Sequence, residues 1–154
     1  MIDIVLYEPE IPPNTGNIIR LCANSGCKLH LIEPLGFDMD DKRMRRAGLD
    51  YQEFSQVTVH PDLASYCRLR QSPRVLAIST RGKTPYHRAQ YEAGDALLFG
   101  PETRGLPDEL LDILPTSNTL RIPMRSESRS LNLSNAVALV AYEALRQLDF
   151  PGLS

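Results

Sequence analysis

A polar segment near the end of the chain carries the side chains best suited to chemistry. Five uncharged polar residues fall within eight positions, between a short strand pattern and a long apolar helix pattern: Ser128, Ser130, Asn132, Ser134 and Asn135. A helix start needs one capping side chain, and each of these residues alone could serve as that cap. The group as a whole indicates a loop that holds polar groups over a ligand.

A glycine-bounded turn in the middle of the chain is the second candidate. Residues 97–106 read LLFGPETRGL, so Glu102 and Arg104 lie between Gly100 and Gly105. Glycine lets the backbone approach a ligand closely, although an ordinary turn after a strand would explain Gly100 alone. The glycine spacing matches a phosphate-binding P-loop, but Leu106 stands where that loop requires lysine. The turn therefore argues against hydrolysis of nucleoside triphosphates.

The third candidate lies near the start of the chain, where residues 14–20 read NTGNIIR. Asn14 and Asn17 could simply cap a helix. Arg20 follows one turn later among apolar residues, and a partly buried arginine usually has an anionic partner. That partner is either a protein carboxylate or a phosphate.

Several other chemistries lack their sequence motifs. The chain contains no G-x-G-x-x-G, H-E-x-x-H or G-x-S-x-G pattern, and its three histidines have no evident nucleophile nearby. Cys22, Cys27 and His30 lack both the fourth ligand and the tight spacing of a zinc site, so no metal is expected. The three cysteines are an odd number, and we expect them to be free thiols.

The elements that must position these residues alternate between strands and helices. This alternation predicts an α/β fold with a mainly parallel sheet, in which ligands collect at the carboxyl ends of the strands. The loops after Tyr7, Ser79, Phe99 and Ile122 are therefore the expected sites of chemistry. Strands are predicted at 2–7, 28–33, 57–60, 74–80, 95–99 and 120–122, and helices at 17–25, 40–47, 61–69, 107–114 and 133–148. Residues 12–17 are interpreted as a turn, Gly26 as a helix cap, and residues 84–91 as ambiguous.

Size and charge set the remaining limits. A chain of 154 residues is expected to form one domain, 1–154, and the net charge of -2 gives no overall field for nucleic acid. Any nucleic-acid contact must come from a local patch, and residues 42–46 place four cations in five positions. The chain starts without the features of a signal peptide and has no membrane-spanning pattern, so a cytoplasmic protein is expected.

The three candidate stretches together resemble the SPOUT superfamily of RNA methyltransferases. The resemblance rests on N-x-G-N-x-x-R at 14–20, LLFGPETRGL at 97–106, and RIPM followed by SLNLSNAVALVAYE at 121–143. It is strongest to the branch that methylates the ribose 2′-oxygen, and to its compact members that modify the wobble cytidine or uridine of leucine tRNAs. It implies a deep trefoil knot near the C-terminus and S-adenosyl-L-methionine as cofactor.

The resemblance also implies site residues. The family's functional residues correspond to Asn14, Arg20, Glu102, Ser130 and Asn132, and its cofactor pocket corresponds to Ile78, Gly100, Ile122, Ser130 and Leu131. Arg20 is expected to hold a phosphate and orient the 2′-hydroxyl, since a guanidinium is a reluctant base. Ser130 and Asn132 are expected to position ribose or cofactor. Glu102 is expected to fix either Arg20 or its own loop.

The expected partners are tRNA and a second copy of the chain. RNA contact is predicted for a set of cations, although those at 42–46 could equally form a solvated helix face: Arg20, Lys42, Arg43, Arg45, Arg46, Arg125 and Arg129. The helices at 17–25 and 133–148 carry more apolar surface than one small sheet needs, which favours the homodimer that the family implies.

Other functions stay open at this stage. The same chemistry could act on another tRNA nucleotide or on ribosomal RNA, and other SPOUT branches methylate a guanine nitrogen. From a different class, the chain could be a cofactor-binding RNA-binding protein without turnover.

Overall fold

The computed structural model describes residues 1–46 and 50–154 of the chain. Within these residues the strands are β1 (Asp3–Tyr7), β2 (Lys28–Ile32), β3 (Val57–His60), β4 (Val75–Ile78), β5 (Thr84–Pro85), β6 (Ala96–Phe99) and β7 (Thr119–Arg121). The helices are α1 (Pro12–Ser25), α2 (Lys42–Arg45), α3 (Tyr51–Ser55), α4 (Leu63–Leu69), α5 (Asp108–Asp112) and α6 (Leu133–Gln147), with 3₁₀ turns at Tyr86–Arg88 and Thr116–Asn118.

The strands form one sheet in the order β3-β2-β1-β6-β4-β7-β5. Every pair of neighbours is parallel, which confirms the predicted α/β class and the parallel sheet. The short strand β5 lies at one edge, where Pro85 pairs with Arg121 of β7. Because all strands run the same way, the loops that follow β1, β4, β6 and β7 meet at one edge of the sheet.

The two faces of the sheet are covered by different helices. Successive residues of β1 alternate between them, so that Ile4 packs in a cluster with Ile18 of α1 and Val140 of α6, whereas Val5 packs in a cluster with Tyr66 of α4. All five of these side chains are almost completely buried. Burial on both faces explains why β1 and β6 have near-continuous apolar sequences.

Helix α1 begins five residues before the predicted start at Asn17. The expected turn at 12–17 is wrong, because Pro12 and Pro13 occupy the first helical positions, where proline removes no hydrogen bond. The predicted cap at Gly26 is confirmed by its φ of 79° and by a bond from its N–H to the carbonyl of Cys22. This earlier start brings Asn14 into the first turn of the helix.

Other boundaries differ by smaller amounts. Helix α4 begins at Leu63 because Asp62 caps it through the Ser65 N–H, and α5 spans only Asp108–Asp112 of the predicted 107–114. The predicted helix at 40–47 is observed as Lys42–Arg45, and Ala47 lies outside the described residues. Helix α3 and strand β5 were not predicted.

Among the described residues, no helix is both long enough and apolar enough to cross a membrane.

A buried polar network fills the sheet face beneath α4. The Asp3 carboxylate accepts hydrogen bonds from the Tyr66 hydroxyl at 2.7 Å and from Arg70 Nε at 2.8 Å, and it lies 3.5 Å from His30 Nε2. The Nδ1 atom of His30 lies 2.9 Å from Nε2 of His60. Burial alone would raise the pKa of Asp3, but its neighbours His30, Tyr66 and Arg70 outweigh burial and lower the pKa to about 2.

The stability of the fold is expected to fall as the pH drops below about 6.5, the ordinary pKa of histidine. Burial and the neighbouring His30 lower the pKa of His60, so the unfolded chain binds this proton more tightly than the folded chain. Asp3 stays ionised in this range, because its folded pKa lies far lower. A loss of about 1 kcal/mol would lower the melting temperature by about 2–4 °C in a chain of this size.

Melting temperatures measured between about pH 7.5 and pH 5 test this expectation. Replacing the buried ring in His60→Asn should flatten the pH dependence, whereas His87→Asn, at an exposed histidine, should leave it unchanged. A wild-type melting temperature that does not change over this range would contradict the assignment.

Candidate active site

A cavity of about 500 Å³ lies at the carboxyl ends of β4, β6 and β7. Its wall contains all five residues that were expected to hold the cofactor: Ile78, Gly100, Ile122, Ser130 and Leu131. Asn14, Glu102, Asn132 and Arg129 line the same cavity. The structure therefore brings together three stretches that are far apart in the sequence.

The register of the sheet explains why these residues meet. Ile78 ends β4 and pairs with Phe99 of β6 and with Leu120 of β7. The next residue after β6 is Gly100, and Ile122 follows β7 directly. The last residues of these neighbouring parallel strands therefore lie close together at the same edge of the sheet.

Two glycines are required by close packing at this edge. A Cβ atom on Gly82 would lie 2.2 Å from the carbonyl oxygen of Leu120, and one on Gly100 would lie 2.5 Å from the backbone nitrogen of Leu106. Real side chains do not tolerate such contacts with backbone atoms, so both positions need glycine. The loop after β4 consequently lies directly against β7, and the turn after β6 folds tightly on itself.

The Glu102 carboxylate joins this turn to the start of α1. It accepts hydrogen bonds from the backbone N–H groups of Glu10 and Ile11, both at 2.8 Å, and from Asn14 Nδ2 at 3.2 Å. Ile11 is the N-cap residue of α1 and has no side-chain cap of its own, so the carboxylate lies where the helix dipole favours negative charge. Of the two roles expected for Glu102, the contacts match fixing of the loop.

Asn132 extends the connection to α6. Its Nδ2 donates to Asn14 Oδ1 at 3.0 Å, while its Oδ1 accepts from the backbone N–H groups of Ser134 and Asn135 and so caps the helix. A continuous chain of hydrogen-bonded side chains, Asn132–Asn14–Glu102, therefore links the three motifs. We call it the asparagine–glutamate chain.

Residues outside the predicted set reinforce the same loops. Glu10 accepts hydrogen bonds from the N–H and the hydroxyl of Thr103, each at 2.8 Å, and these bonds lower the pKa of Glu10. Arg104 forms ion pairs with Glu8 at 3.2 Å and with Glu10 at 3.7 Å. The only sequence signal for these contacts was the presence of two acidic residues, Glu8 and Glu10, at alternate positions after a strand.

Arg81 lines the cavity and was also missed by the sequence analysis. Its guanidinium donates to the carbonyl of Leu106 and pairs with the carboxylate of Asp108. The side chain thereby bridges the loop after β4 and the turn after β6, both of which line the cavity.

Arg20 lies elsewhere. It is not among the described residues that line the cavity, and its Nε donates to the Glu53 carboxylate of α3 at 2.9 Å. Because it follows Asn14 by six positions, its side chain leaves α1 in a direction about 120° away from that of Asn14. The sequence allowed either a carboxylate or a phosphate as the anionic partner of Arg20, and in the structure Arg20 contacts the carboxylate of Glu53.

The basic segment at 42–46 is held against α1 by a buried side chain. Met44 is fully buried, and a Cβ atom on Gly16 would lie 2.3 Å from its carbonyl oxygen, so Gly16 allows α2 to pack on α1. Lys42, Arg43 and Arg46 remain exposed, with Arg43 paired to Asp41 at 2.9 Å. The side chain of Arg45 lies outside the described part of the structure.

The remaining cations flank the cavity. Arg129 lines it, whereas Arg125 is 85% exposed and pairs with Glu127 at 3.1 Å beside it. In residues 1–46 and 50–154, no group of His, Cys, Asp and Glu side chains is arranged to hold a metal ion.

A comparison with family models matches residues 1–142 to the SpoU rRNA Methylase family. The match covers the first two motifs, all but the last residue of the third, and the cavity wall.

The individual relatives and solved structures that match this chain are also RNA methyltransferases. A tRNA (cytidine(34)-2'-O)-methyltransferase of Escherichia coli K12 is 61% identical over 153 residues, which cover 99% of this chain and 97% of the relative. A solved structure that concerns the 2-OH methylation of C/U34 on tRNA is 47% identical and has a TM-score of 0.89. The match covers 97% of each chain. An AdoMet-bound rRNA methyltransferase of Sinorhizobium meliloti is 27% identical with a TM-score of 0.81, over 96% of this chain and 56% of the other.

Proposed function

The chain belongs to the SpoU rRNA methylase family, and from this premise we propose that it methylates the ribose 2′-oxygen of nucleotide 34 in tRNA. The observation that carries the proposal is the meeting of the three motifs at one cavity, through the asparagine–glutamate chain, in a protein 61% identical to a tRNA (cytidine(34)-2'-O)-methyltransferase. Leucine tRNAs are the expected substrates, and the cytoplasm is the expected compartment.

The cofactor is S-adenosyl-L-methionine, and the cavity suits it. Its volume of about 500 Å³ lies within the range of roughly 300–1,000 Å³ that small-molecule sites occupy. Ile78, Ile122 and Leu131 offer apolar surface for a purine, and the backbone at Gly100 and Ser130 offers hydrogen-bonding groups. When bound, the cofactor supplies a methyl group on a cationic sulfur.

The cofactor would supply the methyl group to the ribose 2′-oxygen, and the proton of the 2′-hydroxyl would pass to solvent. Arg20 holds the adjacent phosphate and orients the hydroxyl, because a guanidinium binds phosphate oxygens well and is a poor base. Ser130 and Asn132 position ribose or cofactor at the cavity wall. Asn14 and Glu102 keep that wall in place.

Exclusion of water from the cavity also favours the reaction. Positive charge on sulfur is consumed as the transfer proceeds, and bulk water would stabilise the charged reactants more than the transition state. The tight packing at Gly82 and Gly100 leaves no room for solvent between the loops at those points.

We further propose that the segment after β7 passes through the loop after β4, as a trefoil knot requires. Backbone bonds from Ser79 to Leu120 and from Lys83 to Thr119 wrap that loop around β7. A solved structure in which residues 119–133 run outside this loop would contradict the proposal.

Replacing Arg20 tests the catalytic assignment. Arg20→Ala is expected to lower methyl transfer by about 100-fold or more, since misplacement of a reacting group can cost that much. The variant should still fold, because the ion pair that it loses is partly exposed, and it should still bind S-adenosyl-L-methionine, because Arg20 lies outside the described cavity wall. The assay follows a labelled methyl group into total tRNA and maps the modified nucleotide by mass spectrometry.

Near-normal turnover of Arg20→Ala would refute the role of Arg20. A methyl group on another nucleotide, on a base nitrogen or on ribosomal RNA would refute the proposed substrate, and absence of transfer by the wild-type protein would refute the enzyme assignment.

The exposed cations of α2 are proposed to contact RNA phosphates. Reversing charge in Arg43→Glu and Arg46→Glu should weaken tRNA binding and reduce the slope of log affinity against log salt by about 0.7 for each lost contact to single-stranded RNA. Filter binding or fluorescence anisotropy across a salt series measures both quantities. Arg68→Glu, at an exposed arginine of α4, is the matched control and should leave them unchanged. An identical slope in the α2 variants would remove this patch from the RNA site.

A homodimer is proposed to complete the site, since Arg20 lies apart from the cavity of its own chain. Helix α6 and the residues after it expose Leu139, Tyr142 and Phe150 by 43%, 40% and 37%. Leu139→Asp should therefore shift sedimentation from dimer towards monomer and lower activity. Ile113→Asp, at an 81% exposed position of the α5 C-terminus, should remain dimeric. A stable wild-type monomer at assay concentration would contradict the proposed dimer.

A further inference from the structure

The ion pair between Arg20 and Glu53 connects the proposed phosphate-binding residue to a helix that the sequence did not predict. Arg20 Nε lies 2.9 Å from Glu53 Oε2, and the side chains are 39% and 19% exposed. The contact spans 33 positions in the sequence. It is therefore a tertiary contact between α1 and α3, and neither helix could form it alone.

Glu53 is itself held in place by its surroundings. Its backbone N–H donates to the Asp50 side chain at 2.8 Å, which caps α3. The next residue, Phe54, packs partly buried against the main hydrophobic cluster. The carboxylate is therefore presented to α1 from a fixed backbone position.

We propose that Glu53 is a positioning residue for methyl transfer, which sets the direction of the Arg20 guanidinium; this rests on the proposed role of Arg20. Arginine has a long flexible stem, and a bond at Nε fixes the atom from which the planar guanidinium extends. Holding that plane before RNA binds reduces the ordering required in the transition state.

The charge of Glu53 gives this role a recognisable signature. A carboxylate beside the guanidinium offsets part of its positive charge, so removal of the carboxylate does not weaken attraction of the RNA. Loss of Glu53 should therefore lower kcat while the KM for tRNA stays the same or decreases. A carboxylate that competed with the RNA phosphate for Arg20 would produce the opposite result, a rise in kcat/KM.

The experiment is a double-mutant cycle on the full-length protein with tRNA as substrate. Glu53→Ala is expected to lower kcat by about 10- to 100-fold, as loss of orientation does. Glu53→Gln keeps an acceptor oxygen for Nε and should retain more activity than Glu53→Ala. Gln52→Ala, at the exposed neighbouring position, is the matched control for disturbance of α3 and should retain wild-type kcat.

The Arg20→Lys background separates positioning from general structural support. Lysine has no Nε–H donor at the branch point, so Glu53→Ala should cause little further loss there. Equal losses in both backgrounds, or a gain in kcat/KM in Glu53→Ala, would overturn the proposal. If wild-type protein transferred no methyl group to tRNA, the proposed function would fail before the Glu53 variants were compared.

Discussion

The site depends on the hydrogen bonds that the Glu102 carboxylate accepts from the start of α1. Three donors converge on this one side chain, and two of them are backbone N–H groups that precede the helix. An ionised carboxylate is a strong acceptor, and its position at a helix N-terminus is electrostatically favourable. Through Asn14 the same carboxylate is connected to Asn132 and so to the start of α6. One acidic group thus links the starts of two helices to the cavity.

Close backbone packing complements this polar connection. At Gly82 and Gly100 the loops approach other backbone segments at distances that exclude a side chain. Arg81, which lines the cavity, then joins the two loops by contacting the Leu106 carbonyl and Asp108. The cavity wall therefore combines apolar side chains, such as Ile78 and Ile122, with polar ones, and Asn14, Glu102 and Asn132 also hold that wall together.

The sequence predicted the strands well where apolar residues were continuous, as in β1 and β6. A strand that is buried on both faces has apolar residues at nearly every position, and such a run is easily recognised. It failed for α1, since Pro12 and Pro13 are typical both of a turn and of a first helical turn. The two-residue strand β5 has too little length for any periodic pattern. The cavity residues were predicted through resemblance, and their meeting follows from parallel strand order.

Contacts between distant segments were beyond a sequence-based prediction. The pattern around Arg20 indicated an anionic partner but could not choose between a phosphate and a carboxylate, and nothing near Glu53 pointed to α1. The roles of Glu10, Thr103 and Arg81 likewise arise only when loops from different strands are adjacent. The chemical roles of the individual site residues remain predictions.

The outer strand β5 has a consequence for how copies of this protein meet. Pro85 has no N–H to offer, and the strand is only two residues long, so this margin of the sheet is a poor template for an incoming strand. Edge-to-edge pairing of strands from two copies is therefore disfavoured at this edge of the sheet.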